Sequence, residues 1–139
     1  MIVLDTNVLS ELIKVEGSPS VLGWISRFPL RSLFTTTISQ AEILSGIAMM
    51  PLGRKRSGLT TAALRMLNED FGSRILPFDG EAVPHYADIV ADRRRSGRSA
   101  SALDAMIVAI ARSRGADVAT RNTSHFENCG VRLHDPWLG

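Results

Sequence analysis

Three carboxylates, Asp5, Glu42 and Asp104, each stand where an apolar or β-branched run meets a helical pattern, in "IVLDTN", "LFTTTISQAE" and "SALDAM". Two chemistries are open to each. An acid at that position can cap a helix, and both Ser39-Gln-Ala-Glu42 and Ser101-Ala-Leu-Asp104 match the spacing of a capping box. It can also help to hold a divalent cation. Three carboxylates converging within about 4 Å would repel pairwise by roughly 4 kcal/mol at an effective dielectric of 20. Capping gives no reason to accept that repulsion, whereas a cation removes it. All-oxygen ligation favours Mg²⁺ or Mn²⁺, which use one or two protein carboxylates together with waters and phosphate oxygens.

The elements that would position these acids follow from hydrophobic patterning. "IVL", "SLFTTT", "RILPF", "DVAT" and "VRLHD" read as strands, with Pro77 confining the third to an edge or a strand end. Helical patterns cover "NVLSELIK", "SPSVLGWISRF", "SQAEILSGIAMM", "LTTAALRMLNEDFG", "GEAVPHYADIVADRRRSG" and "SALDAMIVAIARSRG", and "LGRKRSG" reads as a loop. Strands separated by helices predict a parallel sheet with helices on both faces. Ligands of such sheets bind beyond the carboxyl ends of the strands, where the strand order reverses.

Asp5 ends the first strand, while Glu42 and Asp104 are each expected one turn into a helix. The segment "AMIVAIA" after Asp104 is apolar all round and should be buried. Asp104 therefore needs a partner, and its own segment has no cation before Arg112. At the end of "DVAT", Thr120 and Asn122 can hydrogen-bond a water or a phosphate, and Arg121 can contact a phosphate. Equally, Asn122 and Thr123 can simply form a turn. Asp79, after the Pro-containing strand, reads as a cap.

Composition bounds the rest. The chain has 139 residues, 45% of them hydrophobic, with a formal net charge of +2. That is enough chain for one domain, residues 1–139, with a single core. Lys14 and Lys55 are the only lysines among 16 cations. An arginine-rich balance suits phosphate recognition, and a GC-rich genome would produce it as well. Cys129 is alone, which fits a reducing cytoplasm. The longest apolar helical run is too short to span a bilayer, so no membrane association is expected. His85, His125 and His134 lack zinc-ligand spacing, and His125 beside Phe126 reads as a loop residue packed on the core. "DTN" lacks the second acid of a haloacid-dehalogenase nucleophile pair, and no late lysine offers the phosphoryl contact of a receiver domain.

With these residues assembled, the chain resembles the PIN-domain ribonucleases, and most closely the VapC and FitB toxins of bacterial toxin–antitoxin pairs. The likeness runs through "IVLDTNVLSEL", "TTTISQAEILSGI", "ILPFD", "ALDAMIVAIA", "VATRNTSHF" and "DPW". It implies a three-layer α/β/α sandwich with a five-stranded parallel sheet, and a metal-dependent endoribonuclease with Asp5, Glu42 and Asp104 as acidic ligands of Mg²⁺ or Mn²⁺. Thr6, Asn7, Thr120 and Asn122 would form the polar surround. Many family members carry a fourth acid at the position of Asn122, which leaves one or two metals open. The resemblance further implies a homodimer held inactive by a VapB/FitA-like antitoxin in a higher assembly, with RNA as substrate. The alternative is an RNA- or partner-binding domain that does not cleave. "RRRSGRS", Arg93 to Ser99, could steer RNA phosphates, or could complement a helix dipole. Trp24, Met49, Met50 and Leu52 could line a dimer or antitoxin groove, although core packing is expected for at least half of them.

Overall fold

All strands of the computed structural model pair in parallel, and both faces of the sheet are covered. The structure describes residues 1–99 and 101–139. The order along the chain is β1 (Ile2–Leu4), α1 (Thr6–Ile13), α2 (Pro19–Ile25), β2 (Leu33–Thr36), α3 (Thr37–Ala48), α4 (Arg54–Arg65), β3 (Ile75–Leu76), α5 (Ala82–Arg95), α6 (Ala102–Ser113), β4 (Asp117–Ala119), α7 (Thr123–Phe126) and β5 (Leu133–His134). The five strands lie in the order β3-β2-β1-β4-β5. This is the expected α/β/α arrangement.

The run "IVL" is apolar throughout because β1 is central. Ile2 and Leu4 point into a core shared with α1 to α4, whereas Val3 points into the second core, built on α5 and α6. β1 pairs with β2 through Ile2–Leu33 and with β4 through Leu4–Ala119. The strand order reverses between β1 and β4, so the crevice predicted for a ligand lies at their carboxyl ends. The "AMIVAIA" helix is buried at Ala105 and from Ile107 to Ala111, as its uniform hydrophobicity predicts. No described helix is long and apolar enough to cross a membrane.

Several expectations need correction. The "LGRKRSG" stretch is loop only at Leu52 and Gly53, because α4 starts at Arg54. Lys and Arg are good helix formers, and Gly58 is carried inside the helix. Ser39 does not cap α3. β2 passes into α3 without a connecting loop, and the strand's last residue, Thr36, accepts from the Ser39 amide at 3.1 Å. Of the four apolar groove candidates only Trp24 is buried. Met49 and Leu52 are exposed, and Met50 lines an apolar cavity between the end of α1 and α4. By contrast, β3 is an edge strand that stops before Pro77, as that proline requires.

α5 and α6 form an antiparallel hairpin. Arg114, closing α6, reaches Asp79, just ahead of α5, at 3.3 Å. The carboxyl end of α5 therefore lies beside the amino end of α6.

Candidate active site

Asp5 caps α1, and two independent contacts hold its side chain. Oδ1 accepts from the Thr6 amide at 2.8 Å, and Oδ2 accepts from the Thr120 hydroxyl at 2.7 Å. The Asp5 amide in turn donates to the Ala119 carbonyl at 2.9 Å, which extends the β1–β4 ladder to the point where the carboxylate emerges. Thr120 is fully buried, and its hydroxyl also accepts from the Asn122 amide at 3.1 Å and from Nδ2 of Asn7 at 3.4 Å. Asn7 Oδ1 accepts from the Arg121 amide at 3.3 Å. The start of α1 is thus pinned to the end of β4 by side chains from both.

Glu42 reaches the same place from α3. It lies in the second turn of that helix, not the first, because the helix starts earlier than the Ser39 capping pattern implied. Its Oε1 is 2.8 Å from the Thr6 hydroxyl, which is also 2.9 Å from the hydroxyl of buried Ser39. A threonine has one hydroxyl proton, and only the carboxylate is unable to donate. The Thr6 proton therefore goes to Glu42, and Ser39 donates to Thr6. Neither link was visible in the sequence, where Ser39 read as a cap.

Asp104 arrives from α6, whose cap is Ser101: its hydroxyl accepts from the Asp104 amide at 3.0 Å. The Asp104 side chain is 24% exposed and faces Nδ1 of His125 at 3.6 Å. Asp104 therefore has a basic neighbour that its own segment lacks. His125 is not packed on the core. It lies in α7 with a side chain 58% exposed, while Phe126 takes the buried position. Asn122 and Thr123 do form the turn that opens α7, with the His125 amide donating to the Asn122 carbonyl at 2.9 Å. Arg121 points away over the Trp137 ring at 5.1 Å.

Asp5, Thr6, Asn7, Ser10, Glu42, Asp104 and Asn122 line one cavity of about 310 Å³. Asp5 is only 3% exposed. Burial is the main reason its pKa is pushed up from 3.8 to about 6; the Thr120 and Thr6 contacts pull it down, and the charges of Asp104 and Glu42 push it further up. An ordinary buried acid would be stabilised by a cationic side chain, and none is paired with Asp5 among the described residues. The donor set is entirely oxygen, negatively charged and open to solvent on one side, which suits a hard divalent cation. Among the described residues no group of three His, Cys, Asp or Glu side chains is closed up tightly enough to hold a metal unaided. Waters or phosphate oxygens would have to complete the coordination, as is usual for Mg²⁺.

The model of the PIN domain matches residues 2–130. The chain is 40% identical over 137 residues to the plasmid stability protein StbB of Pseudomonas syringae pv. tomato, covering 99% of both chains. It is likewise 40% identical over 137 residues to the VapC ribonuclease Y4jK of Sinorhizobium fredii, covering 99% of this chain and 98% of the other. Its fold superposes on the structure of FitAB bound to the IR36 DNA fragment with a TM-score of 0.91 and 33% identity, covering 99% of this chain and 96% of that one.

Proposed function

The chain belongs to the PIN-domain family, as a VapC/FitB-type toxin of a toxin–antitoxin pair, and from that premise we propose that it is an endoribonuclease dependent on Mg²⁺ or Mn²⁺. The observation that carries this reading is the meeting of Asp5, Glu42 and Asp104 in one cavity at the reversal of strand order, with the Asp5 charge disfavoured until a cation offsets it. Asp5 and Asp104 would hold the metal directly. Glu42 would hold it or orient the attacking water. When bound, the cation makes water a nucleophile at neutral pH and offsets charge developing on the phosphate.

The chain's own residues supply orientation. Thr120 and the Thr6 amide fix both oxygens of Asp5, so its free lone pairs face the cavity. Thr6, backed by Ser39, holds Glu42 in one rotamer. Asn7 ties the two sides together, and Asn122 lines the cavity where a phosphate oxygen could be met. Such partners hold ligating groups in place, and losing one typically costs 10- to 100-fold in affinity or rate. No serine, histidine or lysine is required as a nucleophile.

From the likeness to the FitAB complex we infer a cognate antitoxin partner for this chain, and we propose homodimerisation in a larger assembly. The test is incubation of labelled RNA with the purified protein in Mg²⁺ or in EDTA. Cleavage in Mg²⁺ alone is expected. RNA that is retarded but intact in both would identify a non-cleaving binding domain instead.

A further inference from the structure

A second polar cavity of about 250 Å³ borders Glu127 and Asn128, the residues that follow α7, and is also lined by Asp92, Arg93, Ser96 and Arg98. Its unusual member is Arg93, which is only 7% exposed although it carries a full charge. Arg93 Nη1 donates to the Glu127 carbonyl at 3.2 Å and lies 3.8 Å from the Cys129 sulfur, but its Nε has no partner and no carboxylate pairs with it among the described residues. Its neighbours Arg94 and Arg95 sit in solvent, as cations at a helix terminus do. The dipole does not account for an arginine turned inward with a donor left over. A buried guanidinium without an anion is costly, and the cavity that Arg93 lines is the side from which one can approach it.

Arg98 lines the same cavity, half exposed, with Nη1 3.7 Å from Glu127 Oε2. The two guanidiniums present planar donor forks of the kind that match phosphate oxygens. Glu127 and Asp92 also line the cavity, but both are already engaged, by Arg98 and Arg95 respectively. Position is the second argument. α7 carries His125 against Asp104 on one side, and Glu127, two residues on, borders the second cavity. Two residues of chain span at most about 7 Å. The two cavities therefore border the same short helix, and a strand that leaves the carboxylates past α7 meets the second one.

We propose that Arg93 and Arg98 form a phosphate subsite that anchors the RNA strand beside the acidic cavity. This rests on RNA being the substrate, so its test measures binding with the metal removed and leaves cleavage to a separate assay. In EDTA, ¹⁵N spectra of the full chain report the Arg93 Nε–H directly, and a short single-stranded RNA should shift it. Arg98→Gln should weaken RNA binding several-fold and flatten the dependence of log affinity on log salt by about 0.7, the share of one phosphate on a single strand. Arg93→Lys, which keeps the charge but removes the planar donor fork, should also weaken binding, whereas Arg31→Gln, just ahead of β2 at the amino end of the sheet, should not. Inorganic phosphate separates a free anion from a strand. A shift of Arg93 with phosphate but not with RNA would overturn the anchoring role, as would unchanged affinity and salt slope in Arg98→Gln. Cleavage-competent wild type with those results would leave the nuclease reading standing without this subsite.

Discussion

The hydroxyl of Thr120, at the end of β4, donates to the Oδ2 of Asp5, at the end of β1, across 2.7 Å and with both residues buried. Among the described residues it is the side-chain donor that steadies the Asp5 charge, and the Thr6 amide is the backbone donor. Hydrogen bonds to charged groups contribute about 1.5–3 kcal/mol. Thr120→Val keeps the shape and removes the donor. In EDTA at pH 8, where Asp5 is ionised, urea unfolding should show a loss of about that size. At pH 5, where Asp5 is largely protonated, the loss should be clearly smaller. Equal losses at both pH values would mean that Thr120 acts by packing alone.

The raised pKa of Asp5 makes the metal-free protein sensitive to pH in an unusual direction. The folded state binds the Asp5 proton more tightly than the unfolded chain does, with a pKa of about 6 against 3.8. Stability from this group is therefore complete below about pH 4 and is lost as pH rises through 6, a change of about 3 kcal/mol. Most carboxylates show the opposite trend. Asp5→Asn should flatten the profile between pH 4 and 7 and raise stability at pH 7 in EDTA. Chemical denaturation across that range tests it, and a wild-type curve that climbs with pH through this window would contradict the assignment.

How much of this was legible beforehand depended on whether the cause was local. The strands, their parallel arrangement and the place of Asp5 follow from runs such as "IVL" and "DVA" that no other element explains. Ser101 capping α6 through the Asp104 amide is a four-residue pattern that the sequence shows directly. Thr36 as the cap of α3 is hidden in the sequence because the cap is also the last residue of the strand, and Ser39 three positions later fits the same rule. The approach of His125 to Asp104, and of Ser39 through Thr6 to Glu42, depends on distant segments meeting, which no local spacing encodes. Arg93 looked like any helix-terminal cation. Only packing against Cys129 and the Glu127 carbonyl distinguishes it from Arg94 and Arg95.

Asp104→Asn separates a ligand from a cap. The Ser101 hydroxyl caps α6 through the Asp104 amide, which the substitution leaves intact. In EDTA the variant should melt at the wild-type temperature or above, because a charge that opposes Asp5 has gone. RNA cleavage should be lost, and added Mg²⁺ or Mn²⁺, which should raise the melting temperature of wild type, should leave that of the variant unchanged. A large drop in metal-free stability would point instead to a structural carboxylate, held by His125.

Thr6→Val tests whether the orientation of Glu42 matters to the chemistry or only to the fold. Valine keeps the β-branched shape at the first position of α1, and the Thr6 amide still reaches Asp5. What is lost is the hydroxyl between Ser39 and Glu42, which leaves the Ser39 donor without its acceptor and Glu42 free to rotate. A carboxylate that must meet a cation or a water in one geometry then spends less time there, and a 10- to 100-fold loss is expected. If Glu42 orients the attacking water, the loss falls on kcat while KM for RNA and the Mg²⁺ concentration for half-maximal rate stay near wild type. If Glu42 binds the cation itself, that Mg²⁺ concentration rises and saturating metal restores much of the rate. Ser39→Ala should move the same parameter in the same direction by less, since Thr6 can still donate to Glu42 without it. Wild-type kcat and metal dependence in Thr6→Val would remove the Ser39–Thr6–Glu42 chain from the catalytic machinery.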